Sequence, residues 1–358
     1  MSWLGYRDFR APAGAQVLAG LAKYKSGELI TAGSLRFEFD FSNRANRPCR
    51  LFQYIGTNGW LRRMTIFLNP DFSLSMEIQQ GPSRAYTLVN GLRELPKGAV
   101  RMTYSWDGPA MRGLFTIEDL DGGSIIQTKV KAPPPLPIDD LARILCRDQT
   151  VLADDRLTAV ALGTGRAPVG PLATIGMGTL VDTPDGPRPI ERLRPGDTVL
   201  TDAHKHRPIR WILRQKLPAT GLHTPIRLRA PFFGLKHDIV VAREQKIELK
   251  GLDAERMFGR YSILVRAGDL AGRPGISSVE RSTHMTYYQI LLDEPECLHL
   301  SGGRGESLFI GALAKSPEIL ATTGLCALTP AALPVHTRKG TMDEQKDEYG
   351  SHLRAISA

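Results

Sequence analysis

Two all-β modules in tandem are what this sequence predicts, and three observations predict them. Leu35-Arg-Phe-Glu-Phe-Asp-Phe41 alternates apolar and charged residues over seven positions without a slip, the pattern of a strand with one face buried. Segments of the same period recur through the first 130 residues, punctuated by Gly, Asn, Pro and Asp. After a proline-rich break, a second strand-turn-strand series begins at Gly178 and runs to Thr201. The expected class is all-β: an N-terminal antiparallel β-sandwich followed by a second β fold.

The first module is expected over residues 1–131. Leu74-Ser-Met-Glu-Ile78 and Val100-Arg-Met-Thr-Tyr-Ser-Trp106 repeat the alternation, and Asp107-Gly-Pro109 turns the chain into Leu114-Phe-Thr-Ile117. Residues 132–172 read as a linker. Ala132-Pro-Pro-Pro-Leu-Pro137 is stiff and extended, and Gly163-Thr-Gly-Arg-Ala-Pro-Val-Gly-Pro171 is a second tether. Between them Asp139–Cys146 has helical spacing, with Leu141, Ile144 and Leu145 on one face.

The second module is expected over 173–315. Thr179 to Thr183 is apolar and β-branched, Pro184-Asp-Gly186 is a turn, Arg194-Pro-Gly-Asp197 is another, and Thr198-Val-Leu-Thr201 is extended again. The last segment, 316–358, reads as a tail, its final twenty residues charged and without an apolar stripe.

The chain has 358 residues, enough for two domains, with 42% hydrophobic and 23% charged residues. No apolar run approaches the roughly 20 residues that cross a bilayer, so no membrane segment is expected. The start lacks a basic stretch followed by an apolar one; no signal peptide is visible, and the protein is expected in the cytoplasm or exported by a signal-independent route. Cys49, Cys146, Cys297 and Cys326 have no CxxC spacing and read as reduced thiols. The net charge is +9, and residues 202–250 carry eleven Lys/Arg against four acids, a local surplus of +7. That surplus suits an acidic protein partner. Its basic residues alternate with apolar ones, as in Ile226-Arg-Leu-Arg229, without aromatic interleaving, so nucleic acid is not an expected partner.

Two resemblances follow from these motifs. Tyr104-Ser-Trp-Asp-Gly108 and the Gly-x-Leu-x-Phe-x-Phe pattern from Gly33 resemble the concanavalin-A/laminin-G-like jelly rolls. That likeness implies a carbohydrate ligand, with Asn58, Trp60, Asn69 and Asp71 as candidate ligand-binding groups on loops. The plainer reading makes them turn residues and a core tryptophan. No acid cluster has calcium-loop spacing, so no metal and no cofactor are expected.

The second resemblance is more specific. The Gly178-to-Thr201 series, Pro208-Ile-Arg-Trp-Ile212, Asp238-Ile-Val-Val241, Tyr288-Gln-Ile-Leu-Leu-Asp293 and Glu306-Ser-Leu-Phe309 together resemble the Hint domain, the hedgehog/intein self-processing fold. More closely they resemble bacterial proteins that carry it behind an N-terminal β-domain. In active members a first cysteine attacks the preceding carbonyl to give a thioester, a Thr/Ser-x-x-His segment polarises and protonates the scissile amide, and a later group releases the product.

This chain departs at each place. Thr174 stands at the nucleophile position, Ala242 at the hydroxyl position, and Gln245 at the histidine. Gln289 and Pro295 replace later histidines, and no His-Asn pair closes the module. A threonine hydroxyl holds almost no alkoxide near neutrality, and glutamine cannot shuttle a proton. His204, His206, His237, His284 and His299 read as surface or edge residues. The resemblance with these losses favours a ligand-binding protein with a degenerate, inactive self-processing site over an enzyme. The alternative is slow autocatalytic cleavage by N–O acyl shift at Thr174. A carbohydrate-active enzyme needs paired carboxylates. Glu38 and Asp40 share a face, but Arg36 shares it too, and alternation predicts that this face is solvated.

Overall fold

The computed structural model describes residues 2–10, 16–42, 47–90, 98–146, 148–201, 205–252, 254–255, 259, 261–279 and 283–337. The chain is nearly all β, and it divides into two compact units, Met1–Gly170 and Pro171–Ala358.

The described strands of the first unit are β1 (Trp3–Asp8), β2 (Gln16–Val17), β3 (Leu29–Ile30), β4 (Ala32–Asp40), β5 (Cys49–Gly56), β6 (Arg62–Leu68) and β7 (Leu74–Gln80). They continue as β8 (Ser83–Val89), β9 (Ala99–Asp107), β10 (Arg112–Asp119), β11 (Ile125–Lys131), β12 (Leu136–Pro137), β13 (Val151–Ala153) and β14 (Leu157–Thr164). A seven-stranded antiparallel sheet runs β11-β10-β9-β4-β14-β1-β2, and a five-stranded one runs β13-β5-β6-β7-β8. Phe37, Met102, Tyr104 and Phe115 from the first meet Phe52, Ile66, Met76 and Ile78 from the second in one core. The rings of Phe37 and Phe52 lie 4.8 Å apart. Trp106 fills the core beside Tyr104, its indole N–H satisfied by the Ile30 carbonyl at 2.9 Å.

The stretch expected to be a linker completes this sandwich. Helix α1 (Ile138–Cys146) buries Ile138, Leu141, Ile144 and Leu145, on the face that the spacing predicts. Its Asp140 accepts from the Tyr54 hydroxyl at 2.5 Å and Arg62 Nε at 2.6 Å, which ties the helix to β5 and β6. Strand β14 lies between β4 and β1, and Leu157 to Gly163 are all buried. A strand covered on both faces reads as a continuous apolar run, so alternation could not reveal it.

The second tether is also fastened. Ala167 N donates to Ser34 Oγ at 2.8 Å, Arg36 Nη2 to the Pro168 carbonyl at 2.7 Å and Arg101 Nη2 to the Gly170 carbonyl at 2.9 Å. Gly170 N donates to Glu118 Oε1 at 2.5 Å. Residues 165–170 are thus strapped to the outward face of the seven-stranded sheet. This corrects the expectation that the Arg36–Glu38 face is solvated: both residues are buried. Burial and the charge of Arg101 push the Arg36 guanidinium down to about 9. Arg101 and Glu118, both fully buried, form a bidentate ion pair at 2.7 and 2.5 Å.

The second unit holds β15 (Ile175–Gly176), β16 (Leu180–Thr183), β17 (Gly186–Pro189), β18 (Thr198–Thr201), β19 (Lys205–Pro208), β20 (Trp211–Pro218) and β21 (Pro225–Leu228). Then come β22 (Ile239–Ala242), β23 (Lys246–Lys250), β24 (Ser262–Arg266), β25 (Ile276–Ser278), β26 (His284–Leu291), β27 (Cys297–Leu300) and β28 (Gly303–Glu306). One sheet runs β20-β26-β15-β22-β21-β25; the other runs β17-β16-β27-β28-β23-β24, with β18 joining β27 and β19. The expected hairpin forms β16 and β17, with Thr183 opposite Gly186, whose φ of 104° is one that glycine adopts without strain.

The chain remains packed beyond residue 315, where the tail was expected to start: Leu320, Leu325, Leu333 and His336 are buried. Residues 338–358, including the charged end, lie outside the described residues. His336 Nδ1 accepts from Ile310 N at 3.3 Å, and Nε2 faces the Leu292 carbonyl at 3.1 Å, an arrangement that suits the neutral ring. Burial lowers its proton affinity below the ordinary histidine value. The unfolded chain therefore binds this proton more readily than the folded one. The stability owed to His336 is complete above the unfolded value and lost as pH falls through the folded one. Chemical unfolding at pH 7.5 and 5.5 is expected to show a loss of stability in acid that shrinks in a His336→Asn variant.

Candidate functional site

Thr174 sits where the chain enters the middle of the six-stranded sheet. The next residue, Ile175, pairs with Tyr288 of β26 on one side and Val241 of β22 on the other. Thr174 N donates to the Tyr288 carbonyl at 3.2 Å, and Ala242 N donates to the Thr174 carbonyl at 2.7 Å. The preceding amide, Ala173 N, donates to Gln215 Oε1 at 2.9 Å. Strand β22 ends at this point, whereas β26 runs on to Leu291. A tight turn after β22 brings Gln245 N back to the Ala242 carbonyl at 3.0 Å and aims the Gln245 side chain inward.

The four positions read from the sequence therefore converge. Thr174 Oγ1 donates to Gln245 Oε1 at 2.5 Å. Gln289 Nε2 lies 3.1 Å from both Thr174 Oγ1 and Gln245 Oε1, and 3.2 Å from the Glu306 carbonyl. Gln245 Nε2 donates to the carbonyls of Lys246 at 2.8 Å and Glu306 at 3.2 Å. Gln289 Oε1 accepts from Ile290 N at 3.2 Å. Ala242 contributes its backbone and a methyl group. All four are buried: Thr174 is 5% exposed, Gln245 1% and Gln289 5%.

Chemically this is a closed ring of neutral groups. The acceptor for the threonine proton is an amide oxygen, far too weak a base to remove it. The donors around Thr174 Oγ1 are amide N–H groups, which hold a hydroxyl in place but release no proton. Among the described histidines none is a partner of Thr174, Gln245 or Gln289. His206 and His237 are exposed, and His299 lies 3.7 Å from Asp182; His204 falls outside the described residues. No group of three or more His, Cys, Asp or Glu able to hold a metal occurs among the described residues. All four cysteines are free, and burial pushes the Cys297 thiol up to about 12, away from thiolate chemistry.

Gln215 was not foreseen. It shares its phase in β20 with Leu213 and Leu217, and all three are buried. A glutamine at an apolar phase is a readable sign of a buried polar partner.

The four loop residues of the first unit do not form one site. Asn58 and Trp60 lie in the β5–β6 turn, Asn69 and Asp71 in the β6–β7 turn, at opposite ends of a seven-residue strand. That separates the pairs by about 20 Å. Asn69 Nδ2 donates to Ser73 Oγ at 2.9 Å, and Asp71 Oδ1 accepts from Ser73 N at 3.0 Å and Ser73 Oγ at 2.6 Å. Those bonds organise the turn and hold the Asp71 carboxyl below its usual range. Trp60 is 58% exposed, so the plainer reading of a core tryptophan is corrected; the core tryptophan is Trp106. Arg62 reaches back to the Asn58 carbonyl at 2.5 Å and fixes this loop.

Comparison with known proteins adds to this geometry. Residues 175–312 match the family model of the Hint domain. No curated protein matches the chain. Among solved structures, the chain is similar to the AceL NrdHF class 3 split intein in a splice-inactive variant, at 13% identity and a TM-score of 0.27, over 38% of this chain and 97% of that one. It is similar to the Ruminococcus gnavus IT-sialidase CBM40, at 11% identity and a TM-score of 0.25, over 46% of this chain and 75% of that one. It is also similar to sheep galectin-11, at 8% identity and a TM-score of 0.22, over 39% of this chain and 91% of that one. A Hint domain thus occupies residues 175–312, preceded by an antiparallel β-sandwich.

Proposed function

We propose that this protein couples a Hint-type module whose self-processing centre is silent to a β-sandwich that binds carbohydrate. The closed ring of Thr174, Gln245 and Gln289 carries the first half of this reading. The nucleophile position holds a hydroxyl whose proton is given to an amide oxygen at 2.5 Å. Neither a cysteine nor a histidine is a hydrogen-bond partner of Thr174 among the described residues. Such a constellation works as a unit, so loss of nucleophile and base together removes orders of magnitude in rate. What the module keeps is its architecture, a scaffold or docking body whose basic residues suit an acidic protein partner.

On this reading the purified chain stays a single species of 39.4 kDa through long incubation, with or without added thiol or hydroxylamine. Intact-mass measurement checks it. Fragments that sum to the whole, with a new N-terminus at Thr174, would establish the N–O acyl shift instead.

The carbohydrate half is supported by exposed groups on the sandwich, Trp60 among them, and by the polar outward face of its five-stranded sheet. Glycan-array screening of the full chain tests it: the reading requires saccharide ligands, and a blank array removes it.

A further inference from the structure

Strand register places two rows of polar groups on the outward face of the five-stranded sheet. Gln53, Glu77 and Tyr86 belong to one row across β5, β7 and β8; Arg63, Gln79 and Arg84 form the next across β6, β7 and β8. Their inward neighbours Met64, Ile66, Met76 and Ile78 are core, so the phase of each strand fixes these six outward.

Four of the six, Arg63, Glu77, Gln79 and Arg84, are cross-linked. Arg63 Nη2 and Arg84 Nε each lie 2.8 Å from the same oxygen, Glu77 Oε1. Arg63 Nη2 also reaches Gln79 Oε1 at 3.1 Å, and Arg50 Nη1 reaches Gln53 Oε1 at 2.9 Å. Three arginines face one glutamate, which leaves a surplus of two positive charges on this face. Arg84 pairs through Nε alone among the described residues, and its side chain is 61% exposed. Beside it the Tyr86 ring is 57% exposed.

We infer that this face binds a carboxylate-bearing saccharide, with Arg84 as the carboxylate fork and Tyr86 as the stacking platform. The inference rests on the carbohydrate reading above and gives it a site. A sugar ring presents vicinal hydroxyls that both donate and accept, plus an apolar C–H face. Planar Arg, Gln and Glu groups tied to one another offer donors and acceptors at fixed spacing, and little side-chain freedom remains to be lost on binding. With strands about 4.8 Å apart and alternate residues about 7 Å along each strand, Arg63, Glu77, Arg84 and Tyr86 cover roughly 10 by 7 Å. An exposed aromatic ring next to them suits an apolar ring face. The charge surplus, with guanidinium nitrogens in a planar fork, selects an acidic sugar over a neutral one.

The test is calorimetric titration of the full chain with an oligogalacturonate, a sialylated trisaccharide, the neutral counterpart of each, and an acidic peptide of equal charge. At least one acidic saccharide is expected to bind about ten-fold more tightly than its neutral counterpart and than the peptide. Arg84→Ala and Tyr86→Ala are each expected to weaken it by about ten-fold. Both side chains are exposed, so the melting temperature of each variant should match that of the parent, which separates loss of site from loss of fold. Equal affinity for neutral sugars, or for the peptide, overturns the assignment. Binding lost in Trp60→Ala but kept in both sheet variants also overturns it while leaving the carbohydrate reading in place. No saccharide binding at all removes both.

Discussion

Glu118→Ala is expected to lower the unfolding free energy of the first unit by about 3–5 kcal/mol. The carboxylate it removes is fully buried and makes both bonds of a bidentate pair with Arg101, at 2.7 and 2.5 Å. Without it the Arg101 guanidinium stays desolvated with its principal counter-charge gone, and the cost of stranding it exceeds what the pair contributed. The same oxygen that receives Arg101 Nη2 also receives Gly170 N, so the strap over residues 165–170 loses a fastening in the same step. Equilibrium denaturation followed by near-ultraviolet circular dichroism reads the effect, since Trp106 and Tyr104 belong to this unit. Arg101→Met combined with Glu118→Leu is expected to regain most of the loss, because two apolar groups of similar volume leave neither member of the pair stranded. A double variant as unstable as Glu118→Ala would mean that the strap, and not the unpaired arginine, dominates.

That ion pair also marks where the sequence stops being legible. Alternation in Leu35–Phe41 and Val100–Trp106 locates β4 and β9 and the phase of each. It also assigns Arg36 and Glu38 to water, because a local pattern cannot register a segment that returns from 132 positions later to cover this face. Strand β14 escapes for the opposite reason: Leu157-Thr-Ala-Val-Ala-Leu-Gly-Thr164 has no period, since both faces are buried. In the second unit the turns Pro184-Asp-Gly and Pro195-Gly-Asp have strong local causes, and the strands around them follow. The site was legible through its motif. Thr174, Ala242, Gln245 and Gln289 are spread over 116 positions, yet they meet around one hydroxyl. The sandwich face was not. Its polar groups come one or two at a time from four strands, and only register shows that they are neighbours.

Thr174→Cys with Gln245→His is expected to give a chain that parts after Ala173 when hydroxylamine is added. Gln245 already points at the attacking atom of residue 174, with 2.5 Å between side chains, so an imidazole there would be within reach of the sulfur and of the peptide bond ahead of it. The thiol supplies a few per cent thiolate at neutrality where the hydroxyl supplies almost none. The imidazole supplies proton transfer, worth roughly 10²–10⁴ in rate. Each single variant should therefore stay at least about 10²-fold slower than the pair, because a nucleophile without its base, or the reverse, lacks half of one coupled step. Adding Ala242→Thr returns a hydroxyl to the neighbouring position and should raise the rate again. Intact mass before and after hydroxylamine gives the readout, and circular dichroism confirms that the buried substitutions fold. If the folded pair remains whole, the silence lies in the backbone, in how Gln215 and the sheet hold the Ala173–Thr174 peptide, and no exchange of side chains at 174 and 245 will restore the reaction.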